Sequence, residues 1–265
     1  MPIGASAAIP DMNTDAVTLL FTDIEGSTEK WEQEPERMAQ AVAAHDALLR
    51  GAVEAHRGRV IKTTGDGIYA AFADAIDGVV AVITVQQSLA DPAATAGMPL
   101  AVRCGLHAGP VQQRDDDFFG TTINRAARIM GLAYGGQVLV SQAVADLIGG
   151  RLPDGGSLRD LGEVRLKGLA GTERVYQLLH PGLRDAFPAL RSLAATPNNL
   201  PQQLTSFIGR EREIAEAEAL LARTRLLTLL GIGGLGKTRL SLQIAGDLLD
   251  SYRDGAWFVD LAPSR

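Results

Sequence analysis

Asp23 ends an apolar run, and Asp66 sits between Gly65 and Gly67. If adjacent strands of one sheet bring the two carboxylates together, they can share a pair of divalent cations. Such cations activate an attacking oxygen and neutralise charge on leaving phosphates. The flanking glycines let the backbone turn sharply at Asp66 and keep bulk away from a phosphate. The plainer alternative is that Asp23 caps a helix and Asp66 belongs to an ordinary turn. Asn124 and Arg128 are four residues apart in a helical stretch and share one face. Arg128 suits negative charge building on a phosphate, and Asn124 suits a sugar. The alternative is a solvated polar face with Arg125 and Arg128 both in water. Lys62 lies four residues before Asp66, and Asp117 seven before Asn124. A cationic donor and a carboxylate acceptor match the ring nitrogen and amino group of adenine. The alternative is a surface lysine and an acidic loop.

The elements that must position these residues follow from apolar patterning. Residues 16–21 form a continuous apolar run that predicts a buried strand. Pro35 opens a helical stretch to about Ala55, with Met38, Val42, Leu48 and Leu49 as expected buried positions. Strands are expected at 59–64 and 68–72, hinged on Gly65-Asp66-Gly67 as a hairpin turn. A helix is expected over about 74–89 and a strand over 100–107. A turn at Ala108-Gly109-Pro110 and a short strand at 111–113 come next, then a loop at 115–117. A third helix runs from about Gly120 to Tyr134, closed by Gly135-Gly136. Residues 137–141 read as a strand, with Ser141 capping a short helix. Late strands are expected at 158–166 and 174–179, around Lys167-Gly168. The βαββαβ order predicts an α+β fold with a ferredoxin-like core and a largely antiparallel sheet. His45 and His56 are expected on helix surfaces, and His107 in a structural role. No His/Cys cluster has metal-binding spacing.

The 265 residues suffice for one ordinary domain plus part of another, and 46% are hydrophobic, so a sizeable core can form. A net charge of −6 argues against sequence-independent nucleic-acid binding, which needs a basic surface. The single cysteine, Cys104, permits no intrachain disulfide and fits a reducing compartment. No stretch approaches the ~18 apolar residues of a membrane helix, and Met1 to Asp15 does not read as a secretory signal. A cytoplasmic chain without membrane association is expected.

Five stretches occur in order: TLLFTDIEGST (18–28), IKTTGDGIYAAF (61–72), GLHAGP (105–110), DDFFGTTINRAARIM (116–130) and LGEVRLKGLAGTERVYQL (161–178). On these, the segment from Val17 to Tyr176 resembles the class III nucleotidyl cyclases, particularly the bacterial subgroup that carries FTDIEGST. The resemblance implies Asp23 and Asp66 as ligands of two Mg²⁺ or Mn²⁺, assisted by the backbone carbonyl of Ile24. It implies Lys62 and Asp117 as adenine selectors, hence ATP over GTP. Asn124 and Arg128 become transition-state residues. It further implies a homodimer, with Asp23 and Asp66 of one copy facing Lys62, Asp117, Asn124 and Arg128 of the other. The expected reaction is conversion of ATP to 3′,5′-cyclic AMP and pyrophosphate, in intracellular signalling. A cyclase-fold regulatory module that senses nucleotide is the competing expectation.

Prolines 181, 188, 197 and 201 punctuate a stretch without periodicity, so residues 181–203 are expected to link two parts. Residues 1–14 read as a tail and 15–180 as the main domain. Beyond the linker, residues 231–238 fit GxxxxGK[ST]: Gly231 and Gly236 frame the loop, followed by Lys237 and Thr238. Backbone N–H groups there would cradle phosphates, Lys237 would reach the outer phosphates and Thr238 would take Mg²⁺. A strand over 226–230 and a second over 257–261 are expected around it. Residues 204–265 resemble the start of the signal-transduction ATPases of bacterial transcription regulators. No Walker B acid follows, so the segment is expected to be an incomplete α/β P-loop piece. Its implied partner is a transcription-regulator ATPase on another chain.

Overall fold

The computed structural model describes residues 16–114, 117–166, 169, 171–190, 199–201, 210–232, 234–249, 252 and 254–260. The chain divides into two compact units: Met1–Leu161 with Val175–Phe187, and Gly162–Arg174 with Pro188–Arg265.

Strand β1 (Val17–Ile24) is buried along nearly all its length because both its faces are covered. Two helices follow, α1 (Ser27–Gln33) and α2 (Pro35–Ala55), with Pro35 in the first turn of α2. The hairpin β2 (Arg59–Thr63) and β3 (Ile68–Phe72) leads to α3 (Ala75–Leu89), where the Asp74 side chain accepts the Ile76 N–H at the helix start. Then come β4 (Val102–Gly109), the small hairpin β5 (Gln112–Arg114) with β6 (Asp117–Phe119), and α4 (Thr121–Leu132). Strand β7 (Val138–Ser141) and α5 (Gln142–Ile148) follow, and Ser141 caps α5 by accepting the Val144 N–H, as the sequence suggested. The late strands are β8 (Ser157–Arg165) and β9 (Thr172–Leu179).

The main sheet has the order β2-β3-β1-β4-β7-β9-β8. Its first four strands show the 2-3-1-4 order of a ferredoxin-like core. Strand β1 lies antiparallel between β3 and β4, and the β4–β7 pair is parallel. Leu20 and Ile24 of β1 join the core formed with Met38 and Leu49 of α2 and Val79 and Val82 of α3. Val17, Leu19 and Phe21 point the other way and pack with Ala126, Ile123 and Met130 of α4. Helix α4 presents Thr122, Ala126 and Ile129 inward and leaves Asn124 and Arg128 exposed.

Three expectations are corrected here. The stretch after His107 continues as strand to Gly109, and of the loop expected at 115–117, Asp117 instead starts β6 while residues 115 and 116 lie outside the described residues. His45 is fully buried rather than on the surface, because it falls on the helical stripe of Met38, Ala41 and Leu49. His56 is half-buried at the C-terminal end of α2, where its Nε2 lies 3.3 Å from the Thr84 hydroxyl.

In the second unit, α6 (Glu211–Leu221) and α7 (Lys237–Asp247) share a small apolar cluster of Ala217, Leu240 and Ile244. The expected strand over 226–230 is irregular, with Leu226 80% and Leu230 89% exposed. Among the described residues no strand pairs with it, so it has no ladder to satisfy its backbone. Residues 257–260 are likewise irregular, and Leu261 lies outside the described residues. Gly236 adopts a left-handed conformation at the start of α7, and Lys237 Nζ donates to the carbonyls of Gly231 at 2.8 Å and Ile232 at 2.9 Å. Thr238 is exposed in the first turn.

Candidate active site

Asp23 stands near the end of β1, directly opposite Arg103 of β4. By strand alternation it shares the face of Leu19 and Phe21, the side covered by α4. Asp66 arrives from the other direction. The β2–β3 turn is closed by Thr64 N–H donating to the Gly67 carbonyl at 2.8 Å. Gly65 takes a positive φ of 91°, which suits glycine.

Three contacts then seat this turn on β1. Ile68 N–H donates to Thr22 Oγ1 at 2.9 Å. Ile24 N–H donates to the Asp66 carbonyl at 3.2 Å. The Ser27 hydroxyl, at the start of α1, donates to Asp66 Oδ2. The two carboxylates are thereby neighbours. Burial raises the Asp23 carboxyl above its ordinary range, Arg103 opposes the rise, and the Asp66 carboxylate adds to it. Two adjoining carboxylates with a nearby backbone carbonyl are hard oxygen donors of the kind Mg²⁺ and Mn²⁺ prefer, so the donor set fits such ions.

Arg103 grips Asp23 Oδ2 with Nε at 2.7 Å and Nη2 at 2.5 Å. Glu25 ties the same loop to the end of α4: its Oε2 accepts the Gly135 N–H at 3.1 Å, and its own N–H donates to Ala101. Sequence reasoning missed Ser27, Glu25 and Arg103. The signal for Arg103 was a lone cation in an apolar strand, the same signal that singled out Lys62.

Lys62 lies on β2 opposite Tyr69, just past a register shift, and is exposed. Tyr69 stacks on Phe21 with ring centroids 4.6 Å apart, so a cross-strand row runs from Lys62 through Tyr69 to Phe21. The Phe21 and Tyr69 end of that row packs with Ile123, Ala126 and Met130 of α4. The helix can approach because a Cβ on Gly105 would stand 2.4 Å from the Met130 nitrogen. Asp117 opens β6, and its side chain lies outside the described residues. Asn124 and Arg128 share the outward face of α4. Among the described residues, no hydrogen bond or ion pair joins Lys62, Asn124 or Arg128 to Asp23 or Asp66. Within one chain, then, the two carboxylates adjoin each other.

No helix among the described residues is long and apolar enough to cross a membrane.

Residues 9–180 match the adenylate and guanylate cyclase catalytic domain. An uncharacterized protein of Mycobacterium tuberculosis is 43% identical over 205 residues, 76% of this chain and 70% of that protein. A receptor-type adenylate cyclase of Trypanosoma brucei brucei is 31% identical over 225 residues, 69% of this chain and 18% of that protein. Among solved structures, an adenylate cyclase from Trypanosoma brucei in its monomeric state is 28% identical with a TM-score of 0.59, over 69% of this chain and 97% of that one. A guanylate cyclase domain from Catenaria anguillulae in complex with GTP shares the fold, at 18% identity and a TM-score of 0.55, over 63% of this chain and 97% of that one. With its paired carboxylates, its sheet order and these likenesses in agreement, the chain belongs to the adenylate and guanylate cyclase catalytic domain family.

Proposed function

We propose that this chain is an adenylate cyclase that converts ATP to 3′,5′-cyclic AMP and pyrophosphate as a homodimer. The observation that carries the reading is the seating of Asp66 beside Asp23 by the Ile24, Ser27 and Thr22 contacts. Asp23 and Asp66, with the Ile24 carbonyl, would hold two Mg²⁺ or Mn²⁺, which supply a lowered pKa for the ribose 3′-hydroxyl and positive charge for the triphosphate. Lys62 donates to the adenine ring nitrogen and Asp117 accepts from its amino group, a pair that favours ATP over GTP. Asn124 orients the ribose so that its 3′-oxygen meets the α-phosphorus in line. Arg128 offsets the charge that builds as the bond to pyrophosphate breaks. No covalent enzyme intermediate is needed.

The outward placement of Asn124 and Arg128 supports a site completed by a second copy. Asp23 and Asp66 of one copy then face Lys62, Asp117, Asn124 and Arg128 of the other. Purified protein given ATP or GTP with Mg²⁺ or Mn²⁺ tests the reading. Cyclic AMP as the main product supports it. Nucleotide binding without a cyclic product favours the regulatory-module alternative.

A second reading concerns the C-terminal unit. Residues 204–265, reached through the linker 181–203 from a cyclase domain at 15–180, form a P-loop segment that docks on a transcription-regulator ATPase in the cytoplasm. The turn of Lys237 into its own loop, over the Gly231 and Ile232 carbonyls, supports the phosphate-loop part of this reading. Nucleotide binding by an Asp66→Asn chain, lost on adding Lys237→Ala, tests it.

A further inference from the structure

The two carboxylates are held by chemically different partners. Asp66 Oδ2 takes a neutral hydroxyl, from Ser27. Asp23 Oδ2 takes a full positive charge, from two nitrogens of Arg103. The Arg103 and Asp23 side chains are only 25% and 20% exposed, so this pair is screened less than one on an open surface. The pair is also built into the sheet, because Asp23 and Arg103 are register partners 80 residues apart in sequence.

We propose that Arg103 is a resident counter-ion that holds the place of a divalent cation on Asp23 and keeps metal affinity low while no nucleotide is bound. The proposal rests on the reading of Asp23 and Asp66 as metal ligands. Two ionised carboxylates alone would present a charge of −2, and the guanidinium halves it. An incoming cation must share Asp23 with a group already bonded to it, or displace that group. The hydroxyl on Asp66 imposes no such competition. The nucleotide-free site is thus set against loading with metal alone.

Direct binding of Mn²⁺ to the nucleotide-free chain, read from the spectrum of the free aquo ion by electron paramagnetic resonance, tests this. Arg103→Gln should tighten Mn²⁺ binding by roughly tenfold, as expected when a unit charge beside a cation is removed in a partly screened site. Arg103→Lys keeps the charge and should stay near the wild-type affinity. Ser27→Ala removes a partner without removing charge and should not tighten binding. Circular dichroism and unfolding midpoints check that each variant is folded. Equal or weaker binding by folded Arg103→Gln overturns the proposal, as does equal tightening by Ser27→Ala. Adding Asp23→Asn to Arg103→Gln separates the two claims. Loss of Mn²⁺ binding in the double variant supports Asp23 as the ligand. Unchanged binding there places the ion elsewhere and overturns the metal reading together with the proposal.

Discussion

A Cβ on Gly67 would stand 1.9 Å from the carbonyl oxygen of Thr22. The turn that carries Asp66 therefore lies directly against the backbone of β1, one residue before Asp23. Gly67→Ala should push the turn off the strand. Overpacking of this kind costs about 2 kcal/mol or more in stability, because the atom in the way is backbone and cannot rotate aside. Cyclic product should fall with it, since the carboxylates separate. Urea denaturation beside a Mn²⁺-dependent activity assay checks both.

Arg128 should matter to the transition state and little to metal. Arg128→Ala should lower kcat by about 10²–10³-fold, the usual loss when one aimed donor is removed. KM for ATP and Mn²⁺ binding should change little, because the residue is exposed on α4 and bonded to neither aspartate. Steady-state kinetics beside direct Mn²⁺ titration separates these quantities.

Lys62 should set the choice of base. Lys62→Ala should narrow the preference for ATP over GTP by about tenfold, since a hydrogen bond from a charged donor contributes ~1.5–3 kcal/mol. The ratio of kcat/KM for the two nucleotides reads this directly.

Stability should fall on acidification through His107. Burial, with the positive charge of Arg125 adding, holds its imidazole down to about 4, from an ordinary value of 6.5. Its Nδ1 lies 2.9 Å from the Ser141 hydroxyl. Between those two pH values the unfolded chain binds a proton that the folded chain refuses. Stability is therefore full above 6.5 and declines as pH falls toward 4. The loss between pH 7 and pH 5 should be about 2 kcal/mol. Buried His45, also lowered by desolvation, adds in the same direction. His107→Gln should flatten the slope of stability against pH, measured by denaturant titration at each pH, whatever it does to stability at pH 7.

Much of this was legible in the sequence because it was local. The apolar run of β1, the glycines around Asp66 and the four-residue spacing of Asn124 and Arg128 each encode an element within a few residues. What escaped was contact across distance. Arg103 meets Asp23, and Glu25 meets Gly135, only through pairing and packing between elements, which no spacing displays. His45 was misplaced because residue type was weighed above helical period. The stretch 226–230 shows the opposite error: its leucines suggested a buried strand, yet a strand needs neighbours to pair with, and hydrophobicity alone does not supply them.

The most direct test of a site assembled from two copies is complementation. Asp23→Asn and Arg128→Ala should each be inactive alone. Co-expressed in equal amounts, half of a randomly assorted dimer population is mixed, and each mixed dimer keeps one intact site. Cyclic AMP formation should then return to about a quarter of the wild-type rate. No recovery in demonstrably mixed dimers, or full activity of either variant alone, would contradict the account.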